Sequence, residues 1–115
     1  MKIEAITKLL DAAVLYNPLD NDTEFECACG ADLMSDVLAF VKHDALLLTG
    51  LVNAHVVRTA EMMDIRCVIF VRGKKPAQDV LEVAKECEIA IICTDKTMFT
   101  ACGLLYNNGL TGSAG

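Results

Sequence analysis

The chain has 115 residues, of which 54% are hydrophobic and 23% charged, with a net charge of −6. That length predicts one domain, and the acidic balance disfavours nucleic acid and anionic membrane surfaces, whose phosphates call for a basic face. No uninterrupted apolar run approaches the roughly 18 residues of a membrane span, so the apolar excess is expected to fill a core and the interface of a homo-oligomer, most simply a two-fold dimer.

Lys2–Leu10 reads as a helix with Ile3, Ile6, Leu9 and Leu10 along one side. Glu4, Lys8 and Asp11 within that pattern are unlike a secretory signal. Ala13–Tyr16 is a short strand that Asn17-Pro18 breaks. After a polar loop, Thr23–Cys29 alternates, with Phe25, Cys27 and Cys29 expected on one face of a half-exposed strand. This N-terminal part is expected to add edge strands to a sheet. Gly30 turns the chain. Asp32 reads as the N-cap of a helix reaching Val41, with Leu33, Val37, Phe40 and Val41 inward.

Ala45–Asp64 is the centre of the pattern. Ala45–Leu48 has no polar residue, as in a strand covered on both faces. Thr49-Gly50 ends it, and Gly50 is free to take backbone angles closed to other residues. Asn53 suits the N-cap of a helix with Val56, Val57, Ala60 and Met63 on one side. The unit recurs twice. Strand Cys67–Val71 leads into the turn Arg72-Gly73-Lys74-Lys75-Pro76, with Pro76 fit for a first helical turn, and a helix bearing Val80, Leu81, Ala84 and Cys87. Strand Ile89–Cys93 leads into Thr94-Asp95-Lys96 and a helix bearing Met98, Phe99, Cys102 and Leu105, which Asn107-Asn108-Gly109 ends. Three consecutive units imply an α/β sandwich with a mainly parallel sheet between helices, joined by right-handed crossovers. Residues 1–110 form the domain, and Thr111–Gly115 reads as a disordered tail.

Six cysteines and two histidines invite a metal or disulfide reading. Cys67 and Cys93 fall in apolar strands, Cys87 and Cys102 at apolar helix positions, and there is no Cys-x-x-Cys. A zinc site needs four converging ligands. Buried reduced thiols fit this pattern better than a metal site or disulfides, and reduced thiols point to the cytoplasm. No cofactor is expected. His43 and His55 stand alone, without a Ser or Cys partner at catalytic spacing, and the chain reads as non-enzymatic.

In open parallel sheets ligands bind outside the carboxyl ends of the strands. Three predicted loops meet that edge, carrying Thr49, Gly50 and Asn53, then Arg72, Gly73 and Lys74, then Thr94 and Thr97. Helix N-termini point to the same edge, and their N–H groups favour anions. Four of the ten basic residues, Arg72, Lys74, Lys75 and Lys96, lie in these loops. Two readings stand at this point: a local anion site, or ordinary solvated turns. Neither a P-loop nor Gly-x-Gly-x-x-Gly occurs.

Several stretches together resemble the DRTGG domain in its small stand-alone form from anaerobic bacteria, over about residues 1–110. They are Gly30-Ala-Asp-Leu-Met-Ser-Asp-Val-Leu-Ala39, Leu46-Leu-Leu-Thr-Gly-Leu51, Arg58-Thr-Ala-Glu-Met62, Ile69-Phe-Val-Arg-Gly-Lys74, Met98-Phe99 and Cys102-Gly103. The resemblance implies an α/β domain similar to the N-terminal domain of HPr kinase/phosphorylase. It implies a regulatory module without kinase activity, which in that family belongs to a separate P-loop domain. The literal Asp-Arg-Thr-Gly-Gly is absent, and Thr49-Gly-Leu-Val-Asn53 takes its place. Such domains accompany nucleotide-sensing CBS domains, and the small form resembles those encoded beside iron-only hydrogenase subunits. Two functions are therefore expected: a sensor of a small anionic ligand, a nucleotide among the candidates, or a ligand-free accessory to a redox enzyme. An enzyme is the remote third.

Overall fold

Ala45–Thr49 is wholly buried because its strand is covered on both faces. Pleating sends Ala45 and Leu47 to one side and Leu46 and Leu48 to the other. Around it, the computed structural model describes residues 1–41 and 44–112. The elements are α1 (Ile3–Leu10), β1 (Ala13–Tyr16), β2 (Cys27–Gly30), α2 (Met34–Phe40), β3 (Ala45–Thr49), α3 (Ala54–Met62), β4 (Cys67–Phe70), α4 (Gln78–Cys87), β5 (Ala90–Cys93), α5 (Met98–Asn107) and β6 (Thr111–Gly112).

The strands form one sheet in the order β1-β5-β4-β3-β2-β6. β2 to β5 are parallel in sequential order, with Leu46 opposite Cys67 and Cys67 opposite Ala90. β1 closes one edge antiparallel to β5, with a bulge between Val14 and Tyr16. The core has two halves. Val37, Val56, Val57, Ala60, Val80 and Ala84 of α2, α3 and α4 pack on Leu47, Val68, Phe70 and Ile91. Ile6, Leu10, Ala101 and Leu105 of α1 and α5 pack on Leu46, Leu48, Ile69 and Ile92. Each fully buried branched side chain contributes about 1.5–3 kcal/mol relative to exposure. The expected α/β sandwich with a mainly parallel sheet is thus observed.

The structure corrects the sequence reading at several places. β2 is not an edge strand. It lies between β3 and β6 and opens a fourth strand–helix unit ahead of the predicted three. Phe25 does not share a face with Cys27 and Cys29: it packs with α1 and α5, and they pack on the other side. Period-two alternation holds only along a laddered strand, and Phe25 precedes β2, its N–H donating to Met1 O at 2.8 Å.

Asp32 does not cap α2. Leu33 is the N-cap without a side-chain bond, and it is 60% exposed rather than inward. α4 begins at Gln78, so Pro76 precedes its first turn. Phe99 is 88% exposed, and Ala101 and Leu105 are the inward residues of α5. Thr111 and Gly112 are strand, paired in parallel with Cys27 and Ala28, where the sequence suggested a disordered tail. Residues 113–115, His43 and the side chain of Phe40 lie outside the described residues.

Candidate functional site

Because β2 to β5 are parallel, their carboxyl ends share one edge of the sheet with the amino ends of the helices that follow. Main-chain bonds carry the ladder past the strand ends: Ala31 N–H donates to Leu48 O (3.0 Å), Val71 N–H to Thr49 O (3.1 Å) and Thr94 N–H to Phe70 O (3.0 Å). The loops therefore start from a rigid base.

The first cluster forms around the end of β3. Thr49 is buried, and its hydroxyl donates to Asp32 Oδ1 (3.2 Å) and accepts from Leu51 N–H (3.1 Å). The Gly50 N–H donates to the same Asp32 oxygen at 2.7 Å, a short charge-assisted bond. Asp32 thus ties the loop after β2 to the turn after β3. Asn53 then caps α3 as expected, its Oδ1 accepting from Val56 N–H at 3.0 Å.

The turn after β4 contains two successive left-handed residues, Arg72 (φ 61°) and Gly73 (φ 70°). Glycine adopts that conformation freely, whereas arginine does so at about 1–2 kcal/mol. Two bonds to the neighbouring loop hold the turn: Arg72 N–H donates to Lys96 O (2.8 Å) and Gly73 N–H to Thr94 O (3.0 Å). The consequence is directional. The Arg72 guanidinium crosses to the turn after β3, where a Cβ on Gly50 would stand 2.6 Å from Nη2. Gly50 is not left-handed, so glycine serves there for close approach and not for unusual backbone angles.

The other predicted residues take separate positions along this edge. Thr94 is buried, its hydroxyl donating to Leu10 O (2.7 Å) and accepting from Lys96 N–H (3.3 Å), so it anchors the third loop to the end of α1. Thr97 caps α5 by accepting from Thr100 N–H (3.4 Å). Lys74 is exposed just beyond Arg72 and Gly73. Lys75 turns toward β5, where its charge partly offsets the burial that pushes the Cys93 thiol up. The structure thus brings Thr49, Gly50 and Arg72 together, with Asn53 in the same turn.

Sequence reasoning missed Asp32 as a member of this group. The signal was present: Gly30-Ala31-Asp32 follows β2, and a fourth parallel strand would have brought that loop to the same edge.

The edge offers the Arg72 guanidinium, the exposed ammonium groups of Lys74 and Lys75, helix-start amides and the carboxylates of Asp32 and Asp95, the latter beside Gly73, a set suited to binding. Among the described residues no group of three or more His, Cys, Asp or Glu could hold a metal ion. His55 is exposed in the first turn of α3. Burial pushes the Cys67 thiol up to about 12. Cys87 rises to about 11, first by desolvation and then through its bond with Glu61. Both are protonated, weak nucleophiles near neutrality. No helix among the described residues is long and apolar enough to cross a membrane.

Fold and edge together define a three-layer α/β domain whose parallel strands present their connecting loops along one carboxyl edge. The DRTGG domain family matches residues 5–107, and the chain belongs to that family. The structure is similar to that of the CBS and DRTGG domains of the regulatory region of Clostridium perfringens pyrophosphatase, solved in complex with its activator, diadenosine tetraphosphate. The TM-score is 0.80 at 18% identity, over 98% of this chain and 49% of that one, so this chain spans about half the length of its structural relative. No curated protein matches the sequence.

Proposed function

We propose that this chain is a non-catalytic regulatory domain that senses a small anionic ligand, a nucleotide first among the candidates, at the carboxyl edge of its sheet. Arg72 and Lys74 supply charge. Thr49, Gly50, Asn53 and Gly73 shape the turns, and Thr94 and Thr97 anchor the third loop. One observation carries the reading: Arg72 is held in a left-handed conformation that aims an exposed guanidinium across Gly50. Strain of that kind concentrates at functional sites. The activator bound by the pyrophosphatase regulatory region is a polyphosphate nucleotide, which supports the ligand class. We further read the protein as a cytoplasmic two-fold dimer, in keeping with its apolar excess and six cysteines.

A thermal-shift screen with adenine and guanine nucleotides, coenzyme A, acetyl phosphate and phosphorylated sugars tests the reading. A ligand at 100 times its dissociation constant adds about 2.7 kcal/mol, or roughly 5–15 °C in a domain of this size. The expected result is a shift that Arg72→Ala abolishes. A screen flat for every compound overturns the sensor reading in favour of the redox-accessory one.

A further inference from the structure

The two faces of the sheet are unequally covered. Among the described residues, α2, α3 and α4 pack on one, and α1 and α5 on the other. On that second face an open groove of about 190 Å³ lies over β2 and β6, with Ala28 and Gly30 on its floor and Cys102 and Tyr106 of α5 in its wall. It is the place where a third helix would lie. α5 has the complementary peculiarity. Met98–Asn107 contains no charged residue, whereas α1, α3 and α4 all carry charged side chains. A helix without a charged face is normally buried all round. Yet Phe99 is 88% and Tyr106 70% exposed. Seven residues apart, they stand on the same flank of α5, the flank that borders the groove.

We propose that a second copy of this chain fills the groove, its α5 lying over β2 of the first copy while the first copy's α5 lies over its β2. The proposal rests on the dimer reading above and gives that dimer its interface. Reciprocity favours a second copy over another partner: among the described residues no helix lies over β2 on this face and one flank of α5 is uncovered, and one isologous two-fold contact resolves both. Charge favours it too. The chain carries −6, and α5, β2 and β6 are free of charged side chains, so two acidic copies meet there without like-charge repulsion. A basic partner would be drawn to the charged faces instead. The area is commensurate. Buried aromatic rings contribute about 150–250 Å² each, so Phe99 and Tyr106 bring roughly 300 Å² of the ~800 Å² that each partner of a stable interface buries.

Sedimentation equilibrium on the full chain and on Phe99→Glu and Tyr106→Glu tests the proposal. Both side chains are exposed, so the folded protomer survives, and circular dichroism checks it. Met62→Glu on α3, at a site 71% exposed beyond the opposite face, is the control. The expected result is twice the 12.4 kDa chain mass for the wild type and Met62→Glu, and at least a 100-fold weaker self-association for the two α5 variants. A wild type monomeric at 100 µM overturns the dimer reading itself. A dimer indifferent to both α5 substitutions, or broken by Met62→Glu, leaves the dimer standing and overturns the α5 interface.

Discussion

The Arg72 guanidinium lies against the Cα of Gly50, so close that any Cβ there would meet Nη2 at 2.6 Å. The same Gly50 gives its N–H to Asp32. A glycine that sequence reasoning assigned to a turn is therefore the meeting point of a cation from the loop after β4 and an anion from the loop after β2. The atoms displaced by a methyl would be the far end of an exposed side chain. Gly50→Ala is expected to change unfolding free energy by no more than about 0.5 kcal/mol while weakening anion binding about tenfold, checked by urea unfolding and calorimetric titration of the same samples.

Asp32 accepts from both Thr49 Oγ1 and Gly50 N–H, and Thr49 is fully buried. Asp32→Ala leaves that hydroxyl without its acceptor, at a cost of about 1–3 kcal/mol. Asp32→Asn keeps an acceptor oxygen and should retain most of the stability. Urea unfolding midpoints of the two variants check that order.

Arg72 stands at φ 61° beside Gly73 at φ 70°. Relief of left-handed strain predicts that Arg72→Gly stabilises the fold by about 1 kcal/mol while abolishing ligand binding. Gly73→Ala should do the reverse, destabilising by about 1 kcal/mol. Differential scanning calorimetry with and without ligand shows whether stability and binding trade off at position 72 as a strained functional site requires.

Cys67 is fully buried, and its thiol is pushed up from the usual 9.0 to about 12. In the unfolded chain it ionises at the usual value, so the unfolded state loses its proton first. The contribution to stability is constant below pH 9 and falls by about 1.4 kcal/mol per pH unit between pH 9 and 12. Cys67→Ala should flatten that alkaline slope in a series of urea denaturations. Cys67 should also be the last of the six thiols alkylated in the native protein.

The strands were legible where the chain is apolar without interruption, as at Ala45–Leu48, Cys67–Val71 and Ile89–Cys93, because a buried parallel strand leaves no other pattern. Asn53 was legible as a cap because its partner, Val56, is three residues away. Asp32 was not, since an aspartate ahead of a helix looks like a cap and its true partners are 17 and 18 residues distant. Phe25 was misplaced because alternation was extended past the first paired residue of β2. Phe99 was grouped with Met98, Cys102 and Leu105 as the apolar residues of the last helix, whereas Ala101 and Leu105 fill the inner side of α5 and Phe99 is exposed. The loops were found from the topology of the strands, but the crossing of Arg72 to Gly50 depends on a left-handed turn that no residue type announces.

The central claim is that the carboxyl edge binds an anion through Arg72. The most direct measurement is an amide chemical-shift titration of the labelled protein with adenine nucleotides and inorganic phosphate. Saturable shifts centred on Gly50, Asn53, Arg72 and Gly73, and absent in Arg72→Ala, are the predicted result. Saturable shifts confined to the α1 and α5 face, or none with any of these anions at millimolar concentration, would contradict it.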